Sequence, residues 1–137
     1  MVVTIPLMRT ETGKILRILI LEDRASDADL IEFELQEGGI SFTSKRTETE
    51  GDYLQALQDF SPDLILSDYD LPQYTGTLAL AAVKRLSPEV PFILVTGAVT
   101  ECDGLCNEIV TLGARGCVLK NHLEQLAPVV RRVLELN

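Results

Sequence analysis

Short apolar runs alternate with longer amphipathic stretches along this chain, and polar residues gather where the apolar runs stop. Ile15–Leu21 (ILRILIL) is almost continuously apolar. It predicts a buried strand, with Glu22 and Asp23 at its carboxyl end. Ser26, with Asp29 three residues on, has the form of an acidic capping box. Leu30, Ile31, Phe33 and Leu35 then supply an apolar helical face, which Gly38-Gly39 close. Ile40–Arg46 alternates more weakly and predicts a second strand. Thr49 is placed to cap a helix running to about Phe60, with Tyr53, Leu54, Leu57 and Phe60 inward. Ser61-Pro62 break it. Leu64–Ser67 predicts a third strand, followed by Asp68-Tyr69-Asp70. Leu71–Gly76, marked by Pro72 and Gly76, reads as a loop.

The same alternation continues to the end. Thr77–Leu86 predicts a helix stopped by Ser87-Pro88, and Phe92–Val95 a strand ending at Thr96-Gly97. A helix from about Glu101 to Leu112 is closed by Gly113. Cys117–Leu119 predicts a short strand running into Lys120. A last helix reaches Leu136, with Pro128 in its first turn, where no needed donor is lost. Strand and helix thus repeat about five times. The expectation is an α/β fold, a single five-stranded parallel sheet with helices on both faces and right-handed crossovers. Residues 1–14 lack a clear period and read as a flexible leader to one domain over 15–137.

Composition narrows this picture. A length of 137 residues suits one domain. Hydrophobic residues make up 46% with no Trp, so the core is aliphatic. A net charge of −9 argues against direct binding of nucleic acid, which needs a basic face, and against anionic membrane surfaces. No apolar run approaches the roughly 20 residues of a membrane span. A cytoplasmic location is expected. Three Cys do not suggest a disulfide framework. Cys102, Cys106, Cys117 and His122 lack the paired short spacings of a structural zinc site. They read as small apolar residues, with His122 an exposed turn residue.

Candidate chemistry sits at the strand ends. Glu22 and Asp23 follow the first strand, Asp68 the third, Thr96 the fourth and Lys120 the fifth. Each alone is an ordinary surface or turn residue. Together they fall on the carboxyl edge of a parallel sheet, where such folds bind ligands. Three adjacent acids repel, so one is protonated or a cation lies among them. Oxygen ligands of this kind suit Mg²⁺ or Mn²⁺, which would shield an incoming phosphoryl group. One carboxylate can then act as nucleophile and form an acyl phosphate. Lys120 and Thr96 can hold the other phosphoryl oxygens, and Gly97 leaves room for the group to enter.

Four segments resemble the receiver domains of response regulators in two-component signalling. They are Ile18–Asp23 (ILILED), Asp63–Pro72 (DLILSDYDLP) with Gly76, Val95–Gly97 (VTG) and Gly113–Lys120 (GARGCVLK). The resemblance covers about residues 15–136. It implies a flavodoxin-like sheet of strand order 2-1-3-4-5. It implies that Asp68 is the phosphoacceptor, that Glu22, Asp23 and Asp68 ligate Mg²⁺, and that Asp70 adds its backbone carbonyl. Thr96 matches the hydroxyl that swings toward the phosphoryl group, and Lys120 the lysine that contacts it. The donor would be a phosphohistidine on a sensor histidine kinase or phosphotransfer protein. The response would be a small shift of the last two helix–strand units, a face that would also serve a homodimer.

Cys117 departs from the family, which carries an aromatic residue at this switch position beside Thr96. Asn121 also replaces the usual Pro. Two rivals stand beside the receiver reading. Asp68-Tyr69-Asp70 offers the D-x-D start of a haloacid-dehalogenase-like phosphatase, but that motif belongs after a first strand and continues differently. The other rival is a phosphorylation-silent docking domain, which the Cys at 117 keeps open. The chain is expected not to be an enzyme beyond its own phosphorylation and dephosphorylation. It is expected either to stand alone or to be a piece of a larger sensor kinase or multidomain regulator.

Overall fold

Parallel strands place every carboxyl end on one edge of a sheet, and this chain builds its sheet that way. The computed structural model describes residues 14–97 and 102–136. The elements are β1 (Leu16–Leu21), α1 (Ala25–Glu37), β2 (Phe42–Thr47), α2 (Glu50–Asp59), β3 (Leu64–Ser67), β4 (Asp70–Leu71), β5 (Tyr74–Thr75), α3 (Gly76–Leu86), β6 (Phe92–Thr96), α4 (Cys102–Thr111), β7 (Gly116–Leu119) and α5 (Leu126–Leu134). A 3₁₀ turn over Lys120–Gln125 joins β7 to α5. The main sheet has the order β2-β1-β3-β6-β7, all parallel. This is the expected flavodoxin-like order, with β6 and β7 as its fourth and fifth strands. The expected leader falls almost wholly on residues 1–13, outside the described part.

Strand alternation divides the core between the two faces. Leu19, Leu21, Ile65, Phe92 and Leu94 pack with Tyr53 and Leu57 of α2, Leu80 and Val83 of α3 and Ile109 of α4. Ile18, Ile20, Leu64, Leu66, Ile93 and Val95 pack on the other face with Ile31 and Leu35 of α1 and Leu126 and Val130 of α5. Burial of each large aliphatic side chain contributes about 1.5–3 kcal/mol, so the central strands dominate stability.

Local chemistry explains most boundaries and corrects three expectations. Thr49 caps α2, its hydroxyl accepting the Asp52 N–H at 3.2 Å. Thr75 caps α3 by accepting from Leu78 N. Gly39 ends α1 at φ +79, a left-handed backbone that glycine adopts without steric cost. Ser26, however, is not a cap. Helix α1 starts at Ala25, Arg24 holds the cap position, and no side chain caps it. Its buried face is Ala28, Ile31 and Leu35, a spacing of three and four residues, which leaves Leu30 and Phe33 more than half exposed. Finally, Leu71–Gly76 is not a plain loop. Asp70 pairs with Thr75 and Leu71 with Tyr74 in a small antiparallel ribbon.

Helix α3 begins hard against the β3 end. Gly76 N–H donates to Tyr69 O at 2.8 Å. A Cβ at Gly76 would lie 3.0 Å from Asp68 O and 2.8 Å from Leu94 Cδ1. Gly76→Ala is therefore expected to destabilise the fold by about 1–3 kcal/mol through forced displacement, read by urea denaturation. An unchanged midpoint would show that the backbone yields without cost.

Candidate functional site

Four adjacent strands, β1, β3, β6 and β7, end side by side. Their ends carry Glu22 and Asp23, Asp68, Thr96 and Lys120. Carboxylate oxygens of Glu22, Asp23 and Asp68 all lie within 4.8 Å of one another. Asp23 and Asp68 border a cleft of about 430 Å³ whose lining also includes Asp27, Asp70, Thr96, Gly97 and Lys120, with Glu22 buried behind them. Backbone bonds hold the two acidic ends together: Asp68 N–H donates to Leu21 O at 2.9 Å and Glu22 N–H to Thr47 O at 2.9 Å.

Lys120 is the counter-charge of the cluster. Its Nζ lies 2.8 Å from Glu22 Oε1, 2.7 Å from Asp27 Oδ2 and 3.2 Å from Asp68 Oδ2. Asp68 Oδ1 accepts the Tyr69 N–H at 2.7 Å, and Glu22 Oε2 accepts the Arg24 N–H at 3.1 Å. Glu22 Oε1 is buried against the Lys120 ammonium, the ion-pair partner that balances its charge. A buried carboxylate is costly without cationic partners, so the cluster favours positive charge.

Burial raises the pKa of Glu22 above its ordinary value, outweighing Lys120 and the Arg24 N–H, which lower it. Burial also raises Asp68, again against Lys120 and the Tyr69 N–H, and the Asp23 charge adds to the rise. For Lys120, burial lowers the pKa, but Asp27, Glu22 and Asp68 together outweigh it and the ammonium is held above its ordinary value. The resting site is thus an ammonium among carboxylates that would each be better accommodated with more positive charge nearby.

Asp23 is half-buried and Thr96 is buried at the floor. Asp70 has an exposed side chain, while the ribbon pairing fixes its backbone at the rim. A Cβ on Gly97 would meet Lys120 Cδ at an ordinary 3.6 Å. Asp27 was not singled out from sequence. It stands in the first turn of α1, four residues after Asp23, and this spacing was its only signal. Asp27→Asn is expected to leave Lys120 with Glu22 and Asp68 and to lower stability by no more than about 1 kcal/mol, since it removes one charged partner of several. Urea denaturation checks this; a loss of several kcal/mol would make Asp27 the main partner of Lys120.

The cysteine expectation needs correction. Cys106 and Cys117 are joined in a disulfide, with Cα atoms 5.6 Å apart. They are eleven residues apart in sequence, on a helix and a strand that only the fold brings together. Cys117 is consequently neither a free apolar residue nor a rotor, and no zinc set forms with it. His122 instead lies 3.5 Å from Glu124 on the surface.

Residues 18–131 match the response regulator receiver domain. The chain belongs to that family. This receiver is similar to the transcriptional regulatory protein YkoG of Bacillus subtilis, 32% identical over 123 residues, covering 88% of this chain and 51% of that one. It is similar to the regulatory protein LuxO of Vibrio parahaemolyticus, 40% identical over 77 residues, covering 56% of this chain and 17% of that one. The receiver therefore spans about half the length of YkoG or less of the relatives it matches. Among solved structures, a CheY-like receiver domain protein from Methanospirillum hungatei aligns with TM-score 0.70 and 26% identity over 89% of this chain and 95% of that one. A putative response regulator from Chloroflexus aurantiacus aligns with TM-score 0.78 and 22% identity over 89% and 99%, and shares the fold. Receivers of this family are signalling domains, generally phosphoryl acceptors. Some are fused to enzymes: a Halobacterium salinarum protein-glutamate methylesterase matches over only 35% of its length.

Proposed function

We propose that this receiver accepts a phosphoryl group on Asp68 from a phosphohistidine of a sensor histidine kinase or phosphotransfer protein. The observation that carries this is Lys120 Nζ, 3.2 Å from Asp68 Oδ2 in a cleft that clusters Asp68 with Glu22 and Asp23. A carboxylate oxygen of Asp68 attacks phosphorus while the bond from phosphorus to the donor nitrogen breaks. The Lys120 ammonium takes one phosphoryl oxygen as it leaves its carboxylate partners, and the Thr96 hydroxyl takes another. Glu22, Asp23, Asp68 and the Asp70 backbone carbonyl would hold Mg²⁺ or Mn²⁺, which supplies the charge that lets an anionic donor approach. The product is a mixed anhydride that alters the face built from β6, α4, β7 and α5, which would bind a partner or a second copy.

On this reading the chain is a signalling module and not a turnover enzyme, acting without direct contact with nucleic acid and in the cytoplasm. No helix among the described residues is long and apolar enough to cross a membrane. Intact mass after incubation with a small phosphodonor, with and without Mg²⁺, tests the proposal. One Mg²⁺-dependent phosphoryl group per chain is expected. Hydrolysis of many equivalents of a phosphate monoester would instead favour the phosphatase reading. No adduct on a folded, metal-binding protein, even from a phosphohistidine donor, would favour a silent docking domain.

A further inference from the structure

The disulfide occupies a position that gives it leverage over the cleft. Helix α4 follows β6, whose last residue is Thr96, and β7 precedes Lys120 directly. Thr96 and Leu119 are register partners, as are Leu94 and Cys117. The Cys106–Cys117 bond therefore ties the helix that follows one cleft residue to the strand that delivers another. Little else described pins α4 at this level. Among the described side chains of α4, Ile109 lies in the buried core, with Leu105 partly buried against it, while Val110 is 46% exposed. Both bonded cysteines are half-buried and so lie at the edge of the core, within reach of solution thiols.

We propose that Cys106 and Cys117 form a reversible thiol–disulfide site, whose oxidation state sets the mobility of the α4–β7 face beside the cleft. The reactants are thiols and disulfides. Oxidation takes two electrons and two protons from the Cys106 and Cys117 thiols. A small-molecule disulfide receives them through a mixed disulfide and leaves as two thiols. Reduction runs the other way, with a dithiol giving up its electrons and becoming a cyclic disulfide. Closed, the bond restrains the segment between residues 106 and 117. Open, it leaves α4 held by Ile109 and Leu105 on the core and by Lys84, whose Nζ donates to Leu112 O at 2.6 Å. The effect on phosphorylation output rests on the Asp68 reading; the redox site itself does not.

The test uses the whole chain, wild type and Cys106→Ser, poised with glutathione disulfide or with dithiothreitol under native conditions. Alkylation after quenching, read by intact mass, is expected to find one reactive thiol in the oxidised wild type and three in the reduced protein. Hydrogen exchange over residues 102–119 is expected to quicken about tenfold or more on reduction, as a cross-link restraint is released. Exchange in β1 and β3 should stay unchanged. Cys106→Ser should exchange like the reduced protein under both conditions. Three thiols after oxidation, a bond that opens only when the protein is unfolded, or equal exchange in both redox states would each overturn the proposal. Labelling by phosphodonor is recorded in parallel. Its failure in both redox states would count against the Asp68 reading and leave the thiol and exchange results to decide the redox site.

Discussion

Asp68→Asn should lose phosphoryl labelling altogether while remaining folded. The substitution keeps the shape of the side chain and its contact with the Tyr69 N–H, which now meets an amide oxygen. It removes the anionic oxygen that attacks phosphorus, and an amide is a far poorer nucleophile. Loss of a nucleophile in comparable sites lowers rates by several orders of magnitude, on the order of 10⁴ or more. The fold should not suffer. Burial raises the pKa of Asp68, so the charged form is poorly accommodated and its removal should modestly stabilise the cation-free protein. Intact mass on matched samples, together with a thermal melt, separates the outcomes. Undiminished labelling of the variant would place the acceptor elsewhere. A variant that labels poorly because it is unfolded would show in the melt, and Asp68→Glu would then be the second variant examined.

Lys120→Met should produce the largest loss of stability among the cleft substitutions. It removes the ammonium that lies 2.8 Å from Glu22, 2.7 Å from Asp27 and 3.2 Å from Asp68. Three carboxylates are then left without their shared partner. Breaking a buried ion pair from one side typically costs about 3–5 kcal/mol. Lys120 retains some solvent contact, so a value of roughly 2–3 kcal/mol is expected here. The pH dependence follows from the raised pKa of Glu22 and Asp68. Below their ordinary range both states are protonated. As pH rises through the raised values, the folded state holds protons that the unfolded chain has already released, so stability falls across that window. Lys120 has the raised pKa of a paired base. Its contribution persists at neutral pH and is lost only as pH rises through that elevated value. The variant should thus recover stability on mild acidification, and millimolar Mg²⁺ should recover it too by supplying charge to the same oxygens. Urea denaturation at several pH values, with and without Mg²⁺, measures all three. A variant as stable as wild type at neutral pH would mean that the carboxylates are solvated without Lys120.

How much of this could be read before folding differs from element to element. Strand β3 is four buried residues with Asp68 next in line, and no tertiary information is needed to see that the acid must emerge at a strand end. The same holds for Glu22 and Asp23 after β1, Thr96 closing β6 and Lys120 after β7. Parallel pairing carries all of them to one edge, because successive crossovers return each strand in the same direction. Helix α1 was harder. Leu30 and Phe33 have the same apolar character as Ile31 and Leu35, and only packing against α5 decides which pair is buried. The β4–β5 ribbon was missed because Pro72 signals a turn, while the pairing of Asp70 with Thr75 needs both arms in place.

By itself, then, the sequence determined the alternation of strands and helices, the parallel edge and the acids, hydroxyl and ammonium that stand along it. Those follow from local periodicity and chain order. Tertiary structure alone decided that Asp27 reaches Lys120, that Glu22 Oε1 lies buried against the same ammonium, and that Cys106 finds Cys117. Each of those depends on distances between elements separated along the chain, and a distance of that kind exists only once the core has packed.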